Sequence, residues 1–325
     1  MIKLLRTLIG FFKLYNKQKK FLKSFLAPLL HKYANAVDGS LVASDLYKMQ
    51  HYYGLGSVVL VGEAIAVLHG RAISNQERES LTLMACLTGP FDDFFDQEYL
   101  SDTHIKNLMK ANDPSIIQNT KQQLCFDFYK QILSAGNQTE VIAVAEEVFT
   151  TQKASLSQKK SSPSLSDIQK ICDDKGGAAM LFYRAGFKSD YLTSEKEILF
   201  KTGEIYQLCN DIFDVYKDIY EGIKTPVILC SKISDIDSLL KFKLSELKSV
   251  LTKAKVDTKT QQKYLSFLYV SVARSMVCIK QYKLLEQTTT NEFKASKYTR
   301  KQLICDMELT KNKINFLSFY RQLNQ

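Results

Sequence analysis

The chain has 325 residues and a formal net charge of +10, with 45% hydrophobic and 24% charged residues, so it carries enough apolar mass for a substantial core. Disorder, collagen and coiled-coil fibre are excluded, and no uncharged apolar run approaches the roughly 18 residues of a membrane span. Glycine (13) and proline (5) are scarce, which favours long helices over strands.

At the start, Leu4, Leu5, Leu8, Phe11, Phe12 and Tyr15 recur at helical spacing among Lys3, Arg6, Lys13, Lys17, Lys19 and Lys20. This predicts a basic amphipathic helix over 1–25 that either packs on the body of the protein or rests, through 1–23, on an anionic membrane surface. No small-residue cleavage site follows, so it does not read as a secretory signal. The most apolar stretch after it, Val58 to Leu68, is interrupted by Glu63.

Residues 91–97, FDDFFDQ, place Asp92, Asp93 and Asp96 as a DDxxD among three phenylalanines, with no lysine from Asp92 to Leu100. On a helix, Asp92 and Asp96 share a face one turn apart, close enough for one divalent ion or two adjacent ones. Pro90 removes a helical hydrogen bond just upstream. A kink or a new helix start is therefore expected before the motif, with the aspartates near helical N–H groups.

Asp113-Pro114 reads as an N-cap and first turn, followed by Ile117, Thr120, Leu124, Phe128 and Ile132 on one face. The polar stretch 152–166 reads as a mobile loop. Arg184 stands alone in the apolar run AAMLFYRAGF, where it should have a partner, either a diphosphate or a structural one.

The second acidic cluster lies in QLCNDIFDVYKD, where Asn210, Asp214 and Asp218 follow at i, i+4, i+8 and Asp211 sits beside them. Like charges stacked on one helix face require a compensating cation, and Mg²⁺ supplies one while leaving positions open for phosphate oxygens. Further helices are expected from the stripe Ile236, Leu239, Leu240, Leu244, Leu247 and Leu251, and over 258–288 and 296–323. The lysines read as a dispersed, solvated set, Lys243 with Glu246 and Lys248 among them, so the positive charge is not assigned to nucleic acid. Seven cysteines without a CxxC pair read as reduced and buried, and four histidines lack zinc-ligand spacing. The expectation is a cytoplasmic protein, membrane-peripheral in the case that its first helix rests on a bilayer.

FDDFFD followed by NDIFDVYKD resembles the paired metal motifs of class I isoprenoid synthases: prenyltransferases, squalene and phytoene synthases, and terpene cyclases. Residues 203–218 are similar to the second motif helix of squalene and phytoene synthases, which implies roles for Gln207, Asn210, Asp214 and Asp218. They also resemble the cyclase pattern NDxxSxxKE, matching Asn210, Asp211 and Lys217, with Asp214 in place of Ser or Thr and Asp218 in place of Glu. Lys175-Gly176-Gly177 stands where elongating enzymes have a diphosphate-binding Lys-Thr pair, and GIKTP (222–226) is similar to their GKxTLP. Their GGKRxRP-like element is missing.

The resemblance implies an all-α isoprenoid-synthase bundle over 26–325, with antiparallel helices around a deep apolar cavity and the two motifs at its mouth. It implies Mg²⁺, three ions with diphosphate bound, held by Asp92, Asp93, Asp96, Asn210, Asp211, Asp214 and Asp218. Lys175, Arg184, Lys217 and Gln207 would contact the diphosphate, Arg184 and Lys217 would assist its departure, and Phe91, Phe95 and Phe213 would line the pocket for a carbocation. The implied activity is Mg²⁺-dependent ionisation of an allylic prenyl diphosphate followed by cyclisation or coupling. Chain elongation or head-to-head condensation, and a non-catalytic isoprenoid- or lipid-binding protein, are the alternatives. Homodimers are common among the families it resembles.

Overall fold

The computed structural model describes residues 2–34, 37–96, 100–159, 164–289 and 291–325, without the side chains of 2–6 and 96. It is all-α, with no strand among the described residues. The contacts divide the chain into two compact units interleaved in sequence, Met1–Gln152 with Leu181–Asp190, and Lys153–Met180 with Tyr191–Gln325.

In the first unit, Ile2–Phe21 is helical as its spacing predicts and continues through a π-helical turn, Leu22–Leu26, to His31. Its inner face is fixed by the buried Gln18, whose amide donates to Gly54 O (2.8 Å) and Thr82 Oγ1 (3.1 Å), and by the buried Leu22 and Leu26. The helical stretch Ala43–Leu68 is long and apolar enough by length and composition to cross a membrane once a charge such as Glu63 is allowed within it; 67% of that window is buried inside the fold. Glu63 within it is buried and pairs with the buried Arg78 at 2.7 Å, so the charge that interrupts the run is neutralised internally.

Asp113 caps only a short 3₁₀ turn, Pro114–Ile116, and the helix expected from that point starts later, at Thr120, where Asn119 Oδ1 accepts from Gln122 N at 2.9 Å. Both residues cap, Asp113 the short turn that Pro114 opens and Asn119 the helix itself. Leu124, Phe128 and Ile132 then face the core as the stripe predicts.

In the second unit, the expected loop at 152–166 is mostly helical. The helix Gln138–Ser155 passes into a 3₁₀ turn, Leu156–Lys159, and the next helix begins at Leu165; residues 160–163 of that expectation lie outside the described residues. Polarity misled because Gln158 is buried as a hydrogen-bonding hub, its amide donating to Lys224 O at 2.8 Å.

Lys243 is likewise not solvated. It is buried on the helix Ile233–Lys253 and pairs with Asp173 (2.7 Å) and Glu204 (3.0 Å), while Lys201 joins Glu204 (3.1 Å) to Glu246 (3.3 Å). Burial pushes the Asp173 carboxyl up against the pull of Lys243. All seven cysteines are free and buried, as expected.

Candidate functional site

The second acidic cluster is organised by glycine. Gly176 and Gly203 lie backbone to backbone, so that a methyl group on either would collide with the other's carbonyl, and a methyl on Gly177 would strike the Phe200 ring. Lys175-Gly176-Gly177 therefore serves first as a crossing point between helices. The crossing sets Cys172 and Lys175 beside Asp211, one turn past Gln207.

Gln207 Nε2 donates to Asp211 Oδ1 at 2.8 Å. Asp211 is 2% exposed, and its Oδ2 has no hydrogen-bond partner among the described residues. Burial pushes this carboxyl up to about 6, although the Gln207 amide, the Cys172 thiol and the Lys175 charge all oppose the rise. Lys175 itself is half-buried.

The continuous helix face expected at Asn210, Asp214 and Asp218 is interrupted. The helix Glu195–Phe213 ends at Asp214 (φ −95°, ψ 14°), and Val215–Tyr220 follows as a separate turn and a half. The backbone bonds Asp214 N to Asn210 O (2.8 Å) and Asp218 N to Asp214 O (2.9 Å) nevertheless span the break and keep the residues roughly in register.

Burial does not follow the i, i+4, i+8 set. Asn210 is exposed and Asp214 half-buried, while Asp211 and Asp218, two turns apart, are the buried pair. Burial, then the charges of Asp211 and Asp214, push Asp218 up to about 8, and burial also raises Asp214. Lys217 projects outward, 63% exposed and 4.0 Å from Glu221.

Sequence reasoning missed Arg274, on the helix Thr258–Gln287. Its guanidinium lies 3.9 Å over the Phe213 ring, its Nε is buried with no hydrogen-bond partner among the described residues, and its charge draws Asp214 downward. The signal was present, because Arg274 interrupts the apolar run LYVSVARSMVC as Arg184 interrupts its own. Phe213 thus offers an aromatic face to a cation, and the cation seated there is the protein's own arginine.

GIKTP is local punctuation. Gly222 takes a left-handed φ of 69° at a helix end, and Thr225 caps the turn Pro226–Leu229 that Pro226 opens. A cavity of about 400 Å³ lies beside this segment, lined by Ile219, Ile223, Lys224, Leu229 and Phe293 but by none of the cluster's carboxylates.

The first acidic motif lies in the other unit. Of the two outcomes expected at Pro90, a new start at Phe91 does not occur, because the helix Asn75–Asp96 is continuous through the proline. Leu100 N donates to Phe94 O at 3.0 Å, a bond six residues back that closes the helix, so Asp92 and Asp93 lie in the final turns, toward the carbonyl end. There the helix dipole opposes negative charge instead of favouring it.

Asp93 is compensated from another helix by the buried Lys121, 2.7 Å from its Oδ2. Burial, with the charges of Asp92 and Asp93, pushes the Tyr53 phenol up to about 12. The Asp96 side chain lies outside the described residues. Phe91 packs edge-on against Phe95 (5.4 Å), and Phe95 lies 5.4 Å from Phe149, so both are buried core of this unit.

Arg184 is fully buried, its Nη2 donating to the carbonyls of Ser189 (2.8 Å) and Asp190 (2.9 Å) with the guanidinium 5.8 Å from the Phe187 ring. Of its two readings, these contacts are those of a structural anchor.

Among the described residues, no three His, Cys, Asp or Glu side chains form a group that could hold a metal ion. The second cluster still fits Mg²⁺ with diphosphate in its chemistry. Its donors are oxygens, Asp211 carries a bare buried oxygen, and Mg²⁺ is ordinarily held by one or two carboxylates plus substrate phosphates, not by a full protein cage.

No protein-family model matches the chain, and no curated protein matches it. Among solved structures, the chain is similar to a dehydrosqualene synthase crystallised with a ligand, at 12% identity over 86% of this chain and 98% of that chain, with a TM-score of 0.43.

Proposed function

We propose that the chain is a class I isoprenoid synthase-type enzyme that ionises an allylic prenyl diphosphate and releases diphosphate, the carbocation then cyclising or coupling to a second chain. The observation that carries this reading is the Asp211–Asp218 pair. Both carboxylates are buried, burial and then the charge of Asp211 raise Asp218, Asp211 keeps a bare oxygen, and cationic Lys175 and Arg274 stand beside the cluster.

In this reading Asp211, Asp214 and Asp218, with Asn210, hold Mg²⁺, and Asp92, Asp93 and Asp96 form the second ligand set. When bound, Mg²⁺ supplies positive charge to the departing diphosphate. Gln207 fixes Asp211 in orientation, leaving Oδ2 to bind. Lys175 and Arg274 take diphosphate oxygens, with Lys217 at the exposed edge. Asp214 and Asp218 in place of the hydroxyl and Glu of the cyclase pattern keep oxygen ligands at both positions.

A second reading is favoured by one observation: Lys121 already neutralises Asp93. A protein whose first motif needs no metal could bind an isoprenoid diphosphate without turning it over.

The test is to incubate the protein with C10, C15 and C20 allylic diphosphates, with and without isopentenyl diphosphate, in Mg²⁺ or chelator. Diphosphate release and product mass are then followed. Mg²⁺-dependent release with a hydrocarbon or alcohol supports ionisation. A product of doubled carbon number marks coupling, and one lengthened by isopentenyl diphosphate marks elongation. Tight binding without release selects the second reading.

A further inference from the structure

The first helix leaves one face uncovered, and we propose that this face seats the first unit on an anionic lipid bilayer. The proposal is independent of the chemistry assigned to the acidic clusters.

Residues 1–37 contain eight Lys and Arg and no Asp or Glu, which accounts for most of the chain's net charge. The inner face of the helix is set by the buried Gln18, which also accepts from the buried Arg78 at 2.7 Å, and by Leu22. At roughly 100° per residue, Ile9 lies on the side opposite Gln18. Ile9 is 47% exposed there and Phe12, next to it on that side, 67%, while Tyr15, nearer the Gln18 side, is 42% exposed. Lys13, Lys17, Lys19, Lys20 and Lys23 are all exposed around them.

An exposed Phe among lysines, without one acid, is the pattern that inserts shallowly at a lipid headgroup boundary while the ammonium groups meet lipid phosphates. A groove on a partner protein is disfavoured by the same face. A docked helix needs apolar anchors at i, i+3 or i+4, and i+7, and from Ile9 only i+3, Phe12, is apolar, Lys13 and Asn16 holding i+4 and i+7.

The test is flotation of the full chain with vesicles of phosphatidylcholine alone or with about one third phosphatidylglycerol, at low and high salt. The wild type is expected to float with the anionic vesicles and to be released by salt. The triple variant Lys13→Glu, Lys17→Glu, Lys20→Glu should lose more than a hundredfold in partitioning, at about fivefold or more per lysine, and Phe12→Ser should also weaken it. These side chains are exposed, and unchanged thermal melts would confirm that the variants fold. Wild type that stays in solution with anionic vesicles, or variants that float as well as wild type, would overturn the proposal.

Discussion

Gly203 meets Gly176 backbone to backbone, at a separation that excludes a Cβ on either residue. Because Gln207 and Asp211 follow Gly203 by one and two turns, this contact sets how closely Asp211 approaches Cys172 and Lys175. Gly203→Ala is expected to cost about 1–3 kcal/mol by forcing the helices apart. Denaturant unfolding measures the loss, and the variant should bind Mg²⁺ with diphosphate more weakly than its stability alone explains.

Lys243 holds the charges of Asp173 and Glu204 inside the second unit. Lys243→Met leaves the half-buried Asp173 without this cation and the buried Glu204 with Lys201 alone, and should destabilise by about 1–3 kcal/mol. The exposed Lys253, on the same helix, gives the contrast: Lys253→Ala should change the unfolding midpoint by less than about 0.5 kcal/mol equivalent.

Asp218 and Asp211 keep their protons in the folded state up to about 8 and about 6, above the ordinary carboxylate value they have when unfolded. Between about pH 4 and pH 8 the native state therefore binds more protons than the unfolded state, and these groups make stability fall as pH rises through that window. A cation favours the ionised carboxylates. The rise in Tm on adding Mg²⁺ should thus be small near pH 5 and grow toward pH 8, a trend that Asp218→Asn should largely abolish.

Arg274 and Arg184 separate site from scaffold. Arg274→Ala should weaken diphosphate binding in Mg²⁺ by about tenfold to a hundredfold, the worth of a charge-assisted hydrogen bond, with Arg274→Lys recovering part of it. Arg184→Met should instead lower the unfolding midpoint, because it frees the carbonyls of Ser189 and Asp190, and should leave the affinity of the remaining folded protein unchanged.

The helical class and the acidic segments were legible because periodicity and carboxylate spacing are local. What resisted reading depended on partners distant in sequence. Pro90 did not break its helix, and Asp93 found its counter-charge in Lys121, 28 residues on. The i, i+4, i+8 pattern drew attention to Asn210, which is exposed, whereas burial selected Asp211 and Asp218, a choice set by tertiary packing and invisible to spacing. Arg274 escaped because nothing near it in sequence is acidic; only the fold carries it to Phe213. The buried Gln158 and Lys243 looked like surface residues because their types usually are.

The carboxylates around Asp211 and Asp218 are proposed to act through a divalent ion on a prenyl diphosphate. The most direct measurement is diphosphate release from a C15 allylic diphosphate by wild type and by Asp218→Asn, each in Mg²⁺ and in chelator, with folding checked by thermal melts. Wild type should release diphosphate in Mg²⁺ and not in chelator, and the variant should lose at least about a hundredfold. Release that is indifferent to chelator, or equal in a folded Asp218→Asn, would contradict it.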